Sequence, residues 1–175
     1  LFNRWDAATR LAGETIIEIA EKLRDNQAPS IEDLYLDAVS MSLSGTIDDP
    51  ALLALSLLLP SETTLAQEVD VVDPDALYDA RQLVKRELAA RNKEQFTAIY
   101  HSNRESGPYT VTPEAIARRS LKNISLAYLM SLKPLPEEIQ NLCYQQYKQA
   151  TNMTDAIAAL SNLVNLDNEL RKYAL

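Results

Sequence analysis

Apolar residues recur at steps of three and four along nearly the whole chain, while alternation at steps of two barely appears. Steps of three and four put one apolar stripe on each helix, so the pattern predicts an all-α protein. The first predicted helix carries Trp5, Ala8, Ala12, Ile16, Ile19 and Leu23 on its stripe, with Asn3 as its cap. Ser30 with Asp33 predicts a second start, and Gly45 its stop. Asp49-Pro50 supplies a cap with proline in the first turn, and Pro60 closes that helix. Ser61 opens a short one. Asp73-Pro74 opens what reads as the longest helix, with Leu77, Ala80, Val84 and Leu88 on one side, running to Ile99 with a loosening around Asn92.

Ser106-Gly107-Pro108 reads as a turn. Thr112-Pro113 then starts a helix bearing Ala117, Leu121, Ile124, Tyr128 and Leu132. Pro134 and Pro136 separate it from one bearing Ile139, Cys143, Tyr147 and Ala150. In Thr151 to Val164, Asn152 is placed to cap an eighth helix. Asp155, three residues on, reaches back as in a capping box, and Ile157, Leu160 and Val164 form the buried stripe. Asp167 starts a ninth, and only Val69 to Val72 reads as extended. Nine starts in 175 residues give roughly twenty residues per helix. That is the spacing of an α-solenoid or superhelix of short antiparallel helices, HEAT- or armadillo-like, with eight or nine helices; a compact helical bundle is the alternative. Residues 1–175 show no internal linker and read as one helical segment, with its true N-terminus upstream.

Composition narrows the picture by exclusion. Hydrophobic residues make up 46% and charged residues 24%, values of an ordinary globular domain. The net charge of −8 and the absence of a Lys/Arg block argue against nucleic acid and anionic membrane as partners. Arg118-Arg119 with Lys122 is the densest basic cluster, and it reads as a solvated helix face. The longest apolar run, Ala51 to Leu59, is far short of the roughly twenty residues a membrane helix needs. One cysteine permits no internal disulfide and fits a reducing compartment.

Candidate chemistry is sparse. His101 is the sole histidine, so His-Glu-x-x-His cannot be present; it reads as lying in a polar segment just after a helix end, where it meets the dipole. Cys143 lies on an apolar stripe and reads as core. Glu137 and Glu138 diverge around a first helical turn. Asn123-Ile124-Ser125 and Asn152-Met153-Thr154 match the N-glycosylation pattern by chance, and the eight tyrosines read as core edges.

The order Ala150-x-Asn152-Met153-Thr154-Asp155-Ala156 resembles a segment in the C-terminal helical domain of bacterial aminopeptidase N, of the M1 family of zinc aminopeptidases. Phe2-x-Arg4-Trp5-Asp6-Ala7-Ala8 is similar to another, and Leu59-Pro60-Ser61, Asp73-Pro74, Ala98-Ile99-Tyr100 and Arg119-x-Leu121-x-Asn123 follow in the family's order. The resemblance covers nearly the whole chain. It implies a cytoplasmic bacterial enzyme of four domains that removes N-terminal residues from peptides. Its zinc is held by His-Glu-x-x-His and a downstream Glu, and a Gly-x-Met-Glu-Asn segment binds the substrate amine.

Neither motif occurs here: none of Met41, Met130 or Met153 has Gly two before it or Glu after it. The resemblance therefore implies no catalytic, cofactor-binding or metal residue in this chain and leaves substrate-binding residues unassigned. It makes residues 1–175 the N-terminal part of the C-terminal helical domain, whose partners are the remaining domains and which covers the active site and restricts access. A free-standing α-solenoid scaffold for a protein partner is the alternative, and an independent enzyme is a third reading. Both ends, Leu1-Phe2 with Trp5 and Leu170 with Tyr173 to Leu175, are apolar, unlike the polar caps of a self-contained repeat array.

Overall fold

The structure, a computed structural model, describes residues 2–45, 47–105 and 107–175, excluding the side chains of residues 2–4. Ten helices and no strand occur among the described residues: α1 (Phe2–Arg24), α2 (Asp33–Ser44), α3 (Pro50–Ser56), α4 (Glu62–Leu65), α5 (Pro74–Arg91), α6 (Lys93–Ser102), α7 (Pro113–Leu129), α8 (Glu137–Gln149), α9 (Met153–Leu163) and α10 (Glu169–Ala174). The all-α expectation is borne out. Residues 69–72 are irregular and form no strand, and Ser106 of the expected turn lies outside the described residues.

Most starts fall where a capping side chain was expected. The oxygens of Ser61, Asp73, Thr112 and Asn152 each accept the backbone N–H three residues on, at 3.1, 3.0, 3.2 and 2.9 Å. Each satisfies a donor that the first helical turn cannot pair internally. Other boundaries shift. Helix α1 begins at Phe2, before the expected cap Asn3, and at 23 residues it is longer than α5 with 18. Helix α2 starts at Asp33 behind Glu32, whose side chain makes no cap bond, and not at Ser30. Helix α3 ends at Ser56, well before Pro60. The ninth predicted start moves from Asp167 to Asn168, whose Oδ1 accepts from the Leu170 N–H at 3.0 Å.

The loosening at Asn92 is a full break, so α5 stops at Arg91 and does not run to Ile99. Asn92 is buried, and its side-chain amide and its backbone N–H both donate to the Leu88 carbonyl, at 3.0 and 3.1 Å. A short polar side chain that competes for backbone carbonyls is a helix terminator. Helix α1 ends differently. Asn26 takes a positive φ of 55°, the Gln27 N–H donates to Lys22 O at 2.8 Å, and the Asn26 N–H donates to Leu23 O at 3.1 Å. This is a Schellman closure with asparagine in the left-handed position that glycine usually fills.

The chain forms two compact units, Leu1–Asp48 with Leu52–Asn92, and Asp49–Ala51 with Lys93–Leu175. In the first, α5 packs against α1, α2 and α4. The predicted stripes meet there: Ala12, Ile16 and Ile19 of α1 and Leu77, Ala80, Val84 and Leu88 of α5 are buried. Arg81 donates from Nε to the Pro60 carbonyl at 2.8 Å, so one guanidinium holds the 59–62 segment on α5. Arg91 bridges α5 to Asp33 and Asp37 of α2 at an exposed site, which contributes little by itself.

In the second unit α6 packs on α7, α9 packs on α7 and α8, and α10 packs on α8 and α9. Phe96 and Tyr128 stack with ring centroids 4.7 Å apart and planes 6° from parallel. Tyr100, Leu126, Cys143, Ala159, Leu163 and Ala174 form the apolar core beside them. Helix α9 is rotated from its expected face. Ile157 is 53% exposed and Leu160 and Val164 are half-buried, while Asp155, Ala159 and Leu163 point inward. A carboxylate has displaced an isoleucine from the core, which requires partners for its charge.

The rotated face predicts unequal costs along α9. Leu163→Ala should destabilise the second unit by about 2–5 kcal/mol, because it opens a cavity at a fully buried site. Ile157→Ala should cost under about 1 kcal/mol. Urea melts of the two variants check this, and a larger loss at Ile157 would restore the original stripe.

Candidate functional site

Asp155 sits in the first turn of α9 beneath α7 and meets a complete set of donors. Lys122 Nζ donates to Oδ2 at 2.6 Å, Asn123 Nδ2 donates to Oδ1 at 2.9 Å, and Asn152 Nδ2 donates to Oδ2 at 3.0 Å. The side chains of Lys122 and Asp155 are only 7% and 9% exposed. Gln146 of α8 closes the cluster, donating from Nε2 to Asn123 Oδ1 at 2.8 Å and to the Asp155 carbonyl at 3.1 Å. Burial pushes the Asp155 carboxyl up, but the hydrogen bonds from Lys122, Asn152 and Asn123, with the lysine charge, outweigh it and hold the group below its usual range.

The capping reading therefore holds only in part. Asn152 caps α9 through Oδ1, yet the Asp155 carboxylate takes the Asn152 side-chain amide and the α7 donors instead of reaching back to a backbone N–H. The basic cluster on α7 is also corrected. Arg118 is exposed, but Arg119 and Lys122 are buried, so this is not a solvated face. Arg119 donates to Glu105 Oε1 at 2.7 Å and to the Thr110 carbonyl at 2.8 Å. Its guanidinium lies over the Tyr109 ring at 4.7 Å. That places a fork of donors and a flat cationic face on the segment before α7, a use of arginine that lysine cannot replace.

The other candidates stay apart from this cluster. His101 lies in the last turn of α6, inside the helix, with its ring edge-on to Tyr100 at 5.4 Å. The Cys143 thiol is buried, donates to the Ala159 carbonyl at 3.5 Å, and is pushed up to about 12 by that burial, which makes it a poor nucleophile. Glu137 and Glu138 occupy the first turn of α8, as expected, and Glu138 accepts from Lys93 at 2.9 Å. Both glycosylation matches are structural: Ser125 is buried, and Asn123 and Asn152 are bound to Asp155.

No three His, Cys, Asp or Glu side chains group to hold a metal ion among the described residues. The donor set does not fit a zinc site either, since the Asp155 oxygens are taken by nitrogen donors and His101 joins no group of candidate ligands among the described residues. Lys122 and Asp155 neutralise each other, and neither is available for proton transfer without dismantling the contact between α7 and α9. Beside them lies a cleft of about 280 Å³ lined by Tyr100, Arg104, Lys122, Gln146, Gln149 and Asp155, among others.

Short helices joined by buried polar pairs define a helical-repeat domain. The chain belongs to the family described as "Domain of unknown function (DUF3458_C) ARM repeats", which it matches over residues 1–175. It is similar to aminopeptidase N of Escherichia coli (strain K12), at 36% identity over 93% of this chain and 18% of that protein. Aminopeptidase N of Haemophilus influenzae is 33% identical over 91% of this chain and 18% of that protein. Aminopeptidase N of Caulobacter vibrioides is 32% identical over all of this chain and 20% of that protein. The chain thus spans about a fifth of the length of these curated relatives, and the resemblance read from its motifs is borne out. The crystal structure of Legionella pneumophila aminopeptidase A in complex with aspartic acid shares the fold, with a TM-score of 0.78 at 24% identity, over 99% of this chain and 21% of that one.

A depressed carboxyl gives stability that is present above the ordinary aspartate range and lost as pH falls through it toward the folded value. Unfolding free energy should therefore fall below about pH 4, and Asp155→Asn should flatten that part of the profile. At neutral pH the same substitution should cost about 3–5 kcal/mol, because it strands the Lys122 charge. Asn152→Ala should cost about 1 kcal/mol or more, and exposed Thr154→Ala less. A greater loss at Thr154 would move the cap.

Proposed function

We propose that this chain is a non-catalytic helical part of a zinc-dependent aminopeptidase of the M1 family. In this reading the parent enzyme hydrolyses N-terminal amino acids from peptides. Residues 1–175 form the N-terminal part of its C-terminal helical domain, which covers the active site and restricts access. The observation that carries the reading is similarity to proteins named aminopeptidase N over nearly all of this chain but only a fifth of theirs. A segment built from buried charge pairs, with no zinc-competent donor set among the described residues, suits a wall better than a reaction centre. The parent's zinc would be held by residues of its other domains, and peptides and those domains are its partners. A bacterial cytoplasmic location completes the reading, and the free Cys143 thiol suits a reducing compartment.

Open reading frame and activity test it together. The full-length chain should encode His-Glu-x-x-His upstream of Leu1 and release amino acids from aminoacyl reporters. A chelator should abolish that activity and added zinc should restore it. Residues 1–175 alone should be inactive. Hydrolysis by the isolated segment, or a full-length protein indifferent to chelation, would contradict the reading.

A further inference from the structure

Residues 25–80 contain twelve aspartates and glutamates and no lysine, arginine or histidine. Much of that charge is met within the first unit. Asp33 and Asp37 pair with Arg91, Glu62 with Arg81 and Asp25 with Arg24, and Asp73 caps α5. In residues 68–79 it is not met. Glu68, Asp70, Asp75 and Asp79 are exposed and have no cationic partner among the described residues.

The same stretch exposes apolar side chains. Val71 is 64% exposed, Val72 49% and Tyr78 54%. The two valines lie on the irregular segment that leads into α5, and Tyr78 stands on α5 itself. Asp75 comes three residues before Tyr78 and four before Asp79, so the three are neighbours on one helix face. Two carboxylates at that spacing repel, and Gln82 and Leu83, the next positions within reach of Asp79, are neutral. The helix dipole favours Asp75 in the first turn but fades before Asp79. Neither capping nor packing therefore accounts for the strip as a whole.

We propose that residues 68–79 form a docking strip for a free basic peptide that carries lysines or arginines among apolar side chains. Its cations pair with Asp70, Asp75 and Asp79, while its apolar side chains cover Val71, Val72 and Tyr78. A cation over the Tyr78 ring adds to the attraction. Charge complementarity sets the occupant: the carboxylates repel an acidic peptide, and a purely apolar segment would cover them unpaired. The proposal does not rest on the peptidase reading. An N-acetylated peptide has no free amine for an aminopeptidase to act on, so binding is read without cleavage.

A fluorescent, N-acetylated and C-amidated peptide of repeating Lys-Lys-Leu-Ala units, titrated into the full-length chain, tests it by anisotropy. Saturable binding is expected at low ionic strength with a dissociation constant of about 0.1 mM, the scale of a small exposed contact, and salt should weaken it. A Lys-Lys-Ser-Ser peptide of equal charge should bind at least about fivefold more weakly, and a Glu-Glu-Leu-Ala peptide not at all. Asp75→Asn with Asp79→Asn should weaken binding about fivefold, the worth of two exposed ion pairs. Tyr78→Ser should weaken it about threefold. Glu32→Gln with Asp48→Asn removes the same charge outside the strip and should leave binding unchanged. No binding at about ten times the expected constant would overturn the proposal. So would equal binding by the serine peptide, an unchanged affinity in the Asp75 and Asp79 variant, or an equal loss in the Glu32 and Asp48 variant, which would reduce the effect to net charge.

Discussion

An ammonium and a carboxylate, each more than nine-tenths enclosed, face each other at 2.6 Å between α7 and α9. Removing two charges from water costs several kcal/mol per ion, and only close approach with further hydrogen bonds recovers that cost. Asp155 meets the condition through Asn123 and Asn152, and Gln146 ties the third helix, α8, to the same cluster. The rotation of α9 follows from this arrangement. With Asp155 turned inward, Ala159 and Leu163, one and two turns later, must also point inward, and Ile157 must point out.

The helical fold was legible because it rests on local chemistry. Asp73-Pro74, Thr112-Pro113 and Asn152 each fix a helix start within a few residues, and the stripes of α1 and α5 follow from a single period. Boundaries failed where nothing local determines them. Glu32 caps without a side-chain bond, and α3 ends four residues before the proline expected to stop it. The buried cluster was illegible for a different reason. Lys122 and Asp155 are 33 residues apart, and each by itself reads as a surface charge. Hydropathy assigned the α9 core to Ile157, because it cannot register that a distant lysine makes an inward aspartate tolerable. A signal was nevertheless present: two of the segments that carried the resemblance, Arg119-x-Leu121-x-Asn123 and Asn152 to Asp155, hold most of the cluster between them.

The second buried pair follows the same logic nearer the surface. Arg119 gathers Glu105, the Thr110 carbonyl and the Tyr109 ring, so the 105–112 segment is held against α7 without secondary structure of its own. Two adjoining regions of the second unit are thus fixed by saturated charge pairs. Saturation leaves the charged atoms of both pairs occupied by one another and by neighbouring polar groups.

A double-mutant cycle on the buried pair tests this account most directly. Lys122→Met, Asp155→Leu and the combination would be compared by denaturant unfolding at neutral pH. Each single change strands one charge, so the account predicts two large losses and a double variant far more stable than their sum, with a coupling of about 2–3 kcal/mol. Additive losses with coupling near zero would show that α7 and α9 do not depend on this contact, and the account would fail.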